Sequence, residues 1–484
     1  MQKFDALVIG AGQAGIPLAK RLAKAGLSTA IIEKRVVGGT CINDGCTPTK
    51  LMVGHAAVAH IVRNSSTWGI SVASPPTVDF KTIHEHKQQI VNSFRGSAQR
   101  GIEETEHLVL IEGEASFTGD KILEIRLKDG NTEQYTAPLI FINAGCSMAI
   151  PPIPGLDQVT YYTSTSLLDL ESLPETLVII GGSYIALELG QLYHRLGSKV
   201  TVIEQAPNLL PKEDNDVSAC IKDFLEKEGI QVFTNARVDL VEQEKSSIRV
   251  RFTEQAQGGD AKKNNSFADT TSGSAQTEVT GSHLLIATGR KPQSVALQLE
   301  KAGVEVDKNN YIKVDKYLQT NVKGIYALGD IKGGPAFTHV AYNDYVVILK
   351  NIIEKQDWSI EGRLIPYCMF TDPQLGRVGL SEKQAKEQGI PFVTYTLSME
   401  RVARALETGH TTGMMKAIVH RDTDKILGAA IIGEQGGEVM TVLQMAIQAG
   451  LTCDAIRWGM FAHPLYAESL NNLFMEQGKP STSS

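Results

Sequence analysis

Cysteine is scarce in this chain: six in 484 residues. That is too few for a secreted scaffold stapled by disulfides. Apolar runs are short, and none approaches the roughly 20 residues that cross a bilayer as a helix. No membrane partner is expected. Basic residues are not in excess, with 47 Lys and Arg against 54 Asp and Glu and a formal net charge of -7. A general nucleic-acid binder needs the opposite balance, so none is expected here. A signal-peptide pattern is also missing, because Met1 to Asp5 runs straight into the strand-like Ala6-Leu7-Val8-Ile9. The expected location is the cytoplasm. Between Glu254 and Gly281 apolar residues nearly vanish. Such a stretch cannot join a core and is expected to be a mobile surface insertion.

What is present is ordinary in amount, with 42% hydrophobic and 21% charged residues. At this length one core is not enough, and about three domains are expected. Two stretches share one plan. The first runs from Ala6-Leu7-Val8-Ile9 through Gly10-Ala11-Gly12-Gln13-Ala14-Gly15 and a helical pattern to Ala30-Ile31-Ile32-Glu33. The second runs from Leu177-Val178-Ile179-Ile180 through Gly181-Gly182-Ser183-Tyr184-Ile185-Ala186 to Val200-Thr201-Val202-Ile203-Glu204. In each, a glycine turn joins strand to helix and an acid closes the next strand. Glycines permit the tight turn and close approach of a pyrophosphate, the helix start offers free N–H groups, and the acid suits ribose hydroxyls. Two dinucleotide sites are expected. Ser183 stands where the middle glycine belongs and crowds the second.

Cys41 and Cys46 lie in Gly38-Gly39-Thr40-Cys41-Ile42-Asn43-Asp44-Gly45-Cys46-Thr47-Pro48-Thr49-Lys50, just after Glu33. On one regular helix, positions five apart diverge by about 140°. If these sulfurs are to meet within bonding reach, the segment must be a distorted turn, with Gly45 supplying flexibility. Zinc would need two more ligands in a recognisable cluster. None is evident, and no metal site is expected. A redox pair is the favoured reading. Near the C-terminus, His463-Pro464-Leu465-Tyr466-Ala467-Glu468 places a carboxylate where it can fix an imidazole's tautomer. Pro464 is expected in the first turn of a helix.

With these motifs assembled, the sequence resembles the two-dinucleotide-fold flavoprotein disulfide reductases, such as glutathione reductase, dihydrolipoyl dehydrogenase and mercuric reductase. The likeness covers nearly the whole chain outside 254–281. It rests on the cysteine segment, on Ala287-Thr288-Gly289, on Gly329-Asp330 and on the His463 to Glu468 segment. The resemblance implies an α/β fold with two Rossmann-like domains, for FAD and NAD(P), and a C-terminal α+β dimerisation domain. The implied bounds are 1–152 for the FAD domain, 153–286 for the NAD(P) domain, 287–362 for a return to the central region, and 363–484 for dimerisation.

The resemblance also implies roles. Gly10, Gly12, Gly15 and Glu33 would hold the adenosine half of FAD, with Gly39, Thr40 and Asp330 on the rest. Gly113 and Gly289 are counted with the cofactor contacts. Lys50 would sit near the flavin and pair with Glu188. Gly181, Tyr184 and Glu204 would serve the nicotinamide nucleotide, Tyr184 as a cover over the flavin. Cys41 would be the interchange thiol and Cys46 the flavin-proximal one. His463, oriented by Glu468, would be the acid–base for the other subunit of a homodimer. The implied activity is transfer of hydride from NAD(P)H through FAD to the Cys41–Cys46 disulfide and on to a small disulfide. The alternatives are reduction of a soft metal ion, Hg(II) or Cu(II), and a non-catalytic redox sensor. Glu204 would repel a 2′-phosphate, and Gln205 and Ala206 follow it rather than an Arg pair, which favours NADH over NADPH.

Overall fold

The computed structural model describes residues 1–74, 76–254 and 276–481. The expected insertion falls largely outside them. The chain divides into two compact units: 1–51, 81–149 and 289–363 form one, and 52–80, 150–288 and 364–484 the other.

In the first unit, Ala6–Ile9 is buried at every position. A short, continuously apolar run of this kind belongs in the middle of a parallel sheet covered on both faces. It pairs in parallel with Thr29–Glu33 on one side and Leu139–Ile142 on the other. The sheet has eight strands. Leu108–Gly119 joins it in parallel and then turns back into the antiparallel Ile122–Leu127 and Thr132–Thr136. Ile325–Ala327 pairs in parallel with Leu139–Ile142. The helix Gly15–Lys24 buries Gly15, Leu18, Ala19, Leu22 and Ala23. That spacing makes one apolar stripe against the sheet.

The second unit repeats the plan. Gln231–Phe233, Lys199–Ile203, Thr176–Ile180 and His283–Ile286 form a four-stranded parallel sheet. Ala236–Glu244, Ser247–Glu254 and Gln276–Gly281 form an antiparallel sheet of three. A six-stranded sheet built mainly from Gln374–Gly379, Ile426–Gly433, Met414–His420 and Phe392–Ser398 carries the helix Gly436–Gln448. That helix lies close: a Cβ on Gly376 would stand 2.3 Å from the Gly436 carbonyl oxygen.

One expectation needs correction. The ends of the apolar-poor stretch are not loop: Glu254 finishes one strand and Gln276–Gly281 is another, the two paired in register. Alternation decides this, since Val279 packs on the core while its neighbours face outward. Near the C-terminus, Lys479–Pro480 adds an edge strand to Phe392–Ser398.

Candidate active site

The cysteine segment is two helices with a break. Gly38, at φ +108, turns the chain into the short helix Gly39–Asn43, and Cys41 sits in its middle. Asn43 ties the turn down by donating to the Val37 and Gly39 carbonyls, at 3.0 and 2.9 Å. Arg95 Nε donates to Asn43 Oδ1 at 2.7 Å. Asp44, paired with Arg35, ends the helix. Cys46 opens the next one, Cys46–Arg63. The break resets the helical phase and brings the two thiols into hydrogen-bonding contact. Pro48 lies in the first turn, where a missing N–H costs nothing. The reason for Gly45 differs from the expected flexibility. Its φ is not left-handed, but a Cβ there would stand 2.9 Å from the Thr40 carbonyl oxygen. Close approach requires the glycine.

The hydrogen bond to Cys46, then burial and the charge of Cys46, push the Cys41 thiol up, while Thr338 and Lys50 oppose the shift. Both cysteines are free thiols.

Beside the dithiol, in the same unit, is a cradle of backbone. Gly10, at φ +103, leaves no room for a side chain, since a Cβ would meet the Asn143 carbonyl oxygen at 2.4 Å. Gly15 abuts the Gly10 carbonyl, and a Cβ on Gly39 would stand 2.8 Å from the Gly12 Cα. Glu33 accepts from Ala11 N at 2.9 Å and from Arg35 N at 2.8 Å. A cavity of about 380 Å³ opens beside Gly12 and Ile42, with Lys20, Arg21 and Lys24 on its wall. Bare backbone at a helix start, an acid at the next strand tip and nearby cations fit a dinucleotide pyrophosphate. Asp330 sits across from these glycines in the sequence but within the same unit. Burial raises its carboxyl, and Arg290, at 2.7 Å, opposes the rise. Gly289, at φ +131, turns the chain into that region. Thr40 is exposed. Gly113 lies inside the strand Leu108–Gly119, where a Cβ would strike the Arg126 carbonyl oxygen at 2.7 Å. That strand packing accounts for the glycine.

The second unit holds the matching set. At Gly181, at φ +116, a Cβ would stand 2.5 Å from the Ala287 carbonyl oxygen, as one on Gly10 would meet that of Asn143. Glu204 accepts from Gly182 N and from Ala206 N, as Glu33 accepts from Ala11 and Arg35. In both sites the acid first fastens its own glycine turn, a role that spacing alone did not reveal. Tyr184 begins the helix Tyr184–Leu196 and is half-buried. Glu188, on the same helix, is buried and accepts from Phe370 N at 2.8 Å. His463 Nδ1 lies 3.0 Å from Glu468 Oε2, with the imidazole exposed. Pro464 does not open a helix. Its peptide bond to His463 is cis, and Glu468 ends the short turn Tyr466–Glu468 that precedes the helix Ser469–Met475.

Three site residues carried no signal in the sequence. Asn143 donates to the Gly10 carbonyl at 3.3 Å and its side chain lies against Gly12, Gly15 and Gly329. Asp344, wholly buried, accepts from Gly329 N at 2.8 Å and from Arg363 at 2.7 Å. Thr338 meets Cys46, Oγ1 to Sγ, at 3.5 Å. Among the described residues, Asp372, His410 and Glu434 also bring possible ligand atoms within 4.8 Å of one another. Arg195 already holds Asp372 and Glu228, so that trio reads as the rim of an ion network.

Two nucleotide cradles, a dithiol and a C-terminal sheet domain define a class of protein. Residues 4–344 match the family Pyridine nucleotide-disulphide oxidoreductase, and residues 365–474 match its dimerisation domain. The chain belongs to this family. It is an FAD-dependent disulfide oxidoreductase whose electron donor is NAD(P)H. Among its relatives is the probable pyridine nucleotide-disulfide oxidoreductase RclA of Escherichia coli, 34% identical over 98% of this chain and 99% of that one. A mercuric reductase of Staphylococcus aureus is 34% identical over 96% of this chain and 81% of its own length. A dihydrolipoyl dehydrogenase of Thermus scotoductus is 32% identical over 97% and 96%. A solved Cu(II) complex of the HOCl-induced flavoprotein disulfide reductase RclA from Escherichia coli superposes with a TM-score of 0.86 at 33% identity, covering 98% of this chain and 99% of that chain. Among the described residues no helix is long and apolar enough to cross a membrane.

Proposed function

We propose that Cys41 and Cys46 form the redox disulfide of this enzyme, that NADH is the preferred donor, and that the final acceptor is a small disulfide. The observation that carries the proposal is the contact of two thiols across a helix break, in the unit that holds the glycine cradle. Gly10, Gly12, Gly15, Gly39, Glu33 and Asp330 would hold FAD, which supplies the two-electron relay between nicotinamide and sulfur. Its contact with Cys46 and its burial push the Cys41 thiol up, so it needs a base before it can attack an acceptor. His463, held by Glu468, is that base, contributed by the second subunit of a homodimer. Lys50 and Glu188 serve the flavin side of the reaction. Glu204 supports NADH, because a carboxylate at this strand tip repels a 2′-phosphate. A reducing cytoplasm suits a dithiol that cycles.

A soft metal ion is the second reading. It is favoured by the likeness to a mercuric reductase and to a Cu(II)-bound reductase structure, and by the affinity of paired thiolates for soft ions. Turnover with NADH against lipoamide, glutathione disulfide, Hg(II) and Cu(II) separates the two readings. Cys41→Ser should abolish reduction of every acceptor while the flavin content stays at that of the native protein. Undiminished turnover in Cys41→Ser, or purified protein without flavin, refutes the proposal. A higher kcat/KM with NADPH than with NADH refutes the donor assignment alone.

A further inference from the structure

The helix Thr338–Ile352 carries a charge where its pattern asks for an apolar residue. Val340, Ala341, Asp344, Val347 and Ile348 fall on one buried stripe, the spacing of a helix packed on a core. Asp344 has no exposed surface at all. A carboxylate out of water is costly unless charges and donors satisfy it. Here they do. Its Oδ1 accepts from Arg363 Nη1 at 2.7 Å, and its Oδ2 accepts from Gly329 N at 2.8 Å. The Lys332 ammonium lies 3.4 Å from the same Oδ2. A leucine would continue the stripe, so the packing of the helix does not call for the acid.

We propose that Asp344 is a positioning residue of the flavin site: it grips the turn Gly329–Lys332 at both ends and so fixes where Asp330 meets FAD. The inference rests on the assignment of Asp330 to that cofactor. The turn is four residues long, and one carboxylate oxygen reaches its first N–H and its last ammonium. Asp330 stands between them. Its side chain is held separately by Arg290, at 2.7 Å, and its carbonyl accepts from the Cys146 thiol at 3.4 Å. The start of the turn is hemmed in as well. Gly329 has φ +73, and a Cβ there would stand 2.9 Å from Asn143 Oδ1. The Asn143 side chain lies against Gly12 and Gly15 too, so the turn and the glycine cradle share a neighbour. What Asp344 contributes is position rather than charge. Burial raises the Asp330 carboxyl, Arg290 and Lys332 oppose the rise, and the charge of Asp344 adds to it. An acid that acted on Asp330 by charge alone would work against its ionised form. All of these residues belong to the first unit.

Diluting the holoenzyme through a concentration series, with released flavin read by its fluorescence, gives the FAD dissociation constant. Asp344→Leu fills the space and removes the acceptor. It should weaken FAD by about ten- to hundredfold, the weight of a hydrogen bond to a charged group. Lys332→Met frees only the far end of the turn and should weaken FAD by less; it carries the test should Asp344→Leu not fold. Melting with and without excess FAD separates position from general stability. Both variants should show a smaller FAD-induced rise in melting temperature than the native protein, because a ligand stabilises in proportion to the logarithm of its saturation. A native dissociation constant in Lys332→Met, or in folded Asp344→Leu, overturns the inference. So does a lower melting temperature with an unchanged FAD-induced rise, which assigns Asp344 to the fold alone. Asp330→Ala guards the underlying reading. Native FAD binding in that variant removes Asp330 from the flavin site, and the inference falls with it. Weak binding in Asp330→Ala beside native binding in the other two overturns only the role of Asp344.

Discussion

A single methyl group separates an open cradle from a blocked one at Gly10. Any side chain there must adopt a left-handed backbone at φ +103 and stand 2.4 Å from the Asn143 carbonyl. Gly26, on the same helical unit at φ +87, faces open space. The two positions share the backbone strain and differ in the contact. Both Gly10→Ala and Gly26→Ala should lose about 1–3 kcal/mol of stability from the strained conformation. Only Gly10→Ala should also lose flavin, because the Asn143 segment must move, and Asn143 also touches Gly12, Gly15 and Gly329. Thermal melting and the flavin-to-protein absorbance ratio check the pair. Equal flavin content in the two variants would show that the cradle does not depend on this contact.

Elements differ in how far their sequence announces them. Ala6–Ile9 and Thr176–Ile180 are read directly, because an apolar run between a turn and a glycine has one good home. The break between Cys41 and Cys46 is also legible, since two sulfurs five positions apart cannot meet on one helix. The strand Gln276–Gly281 is not legible, because its polar residues face outward and only its partner Ser247–Glu254 gives it a register. Asn143, Thr338 and Asp344 are hidden for the same physical reason. Their partners, which are backbone, sulfur and, for Asp344, the Arg363 guanidinium, come from other segments, which no local period encodes.

Lys416 is a further case. It lies in the middle of an apolar strand, Met414–His420, and is nearly fully buried. Its ammonium meets Asp216 at 2.8 Å, Glu382 at 2.9 Å and Asp214 at 3.2 Å. Burial favours protonation of Asp214, but Lys416 and the Glu382 and Lys383 amides outweigh it and hold the carboxyl below its usual range. Lys416→Met keeps the strand apolar yet strands three carboxylates. Removing one partner of a buried ion pair costs about 3–5 kcal/mol, and denaturant unfolding at pH 7 should show a loss of that order. A depressed carboxyl gives its stability above the unfolded value of about 3.9 and loses it as pH falls through the folded value. The gap between native protein and Lys416→Met should therefore narrow on acidification below about pH 4. A gap constant with pH would remove Asp214 from the account.

At the scale of the whole molecule the question is whether one chain is a complete enzyme. Cys41 is in the first unit and His463 in the second. The His463 imidazole is mostly exposed on its own chain, and its carboxylate partner is already in place. An oriented base facing outward suits a dithiol on another copy, and the chain carries a dimerisation domain at 365–474. His463→Gln alone should slow disulfide turnover by about 10²–10⁴-fold, as loss of a general acid–base does, while NADH still reduces the flavin at the native rate. Cys41→Ser alone should be inactive. If each site joins Cys41 of one chain to His463 of its twofold mate, unfolding and refolding the two variants together restores one intact site in each mixed dimer. Random assortment makes half the dimers mixed, so about a quarter of native disulfide turnover should return. If each site is built within one chain, every site in the mixture carries one defect and nothing returns. Mass measurement of the mixed species under native conditions confirms that the exchange occurred, so the absence of recovered turnover would place the base and the dithiol in the same subunit.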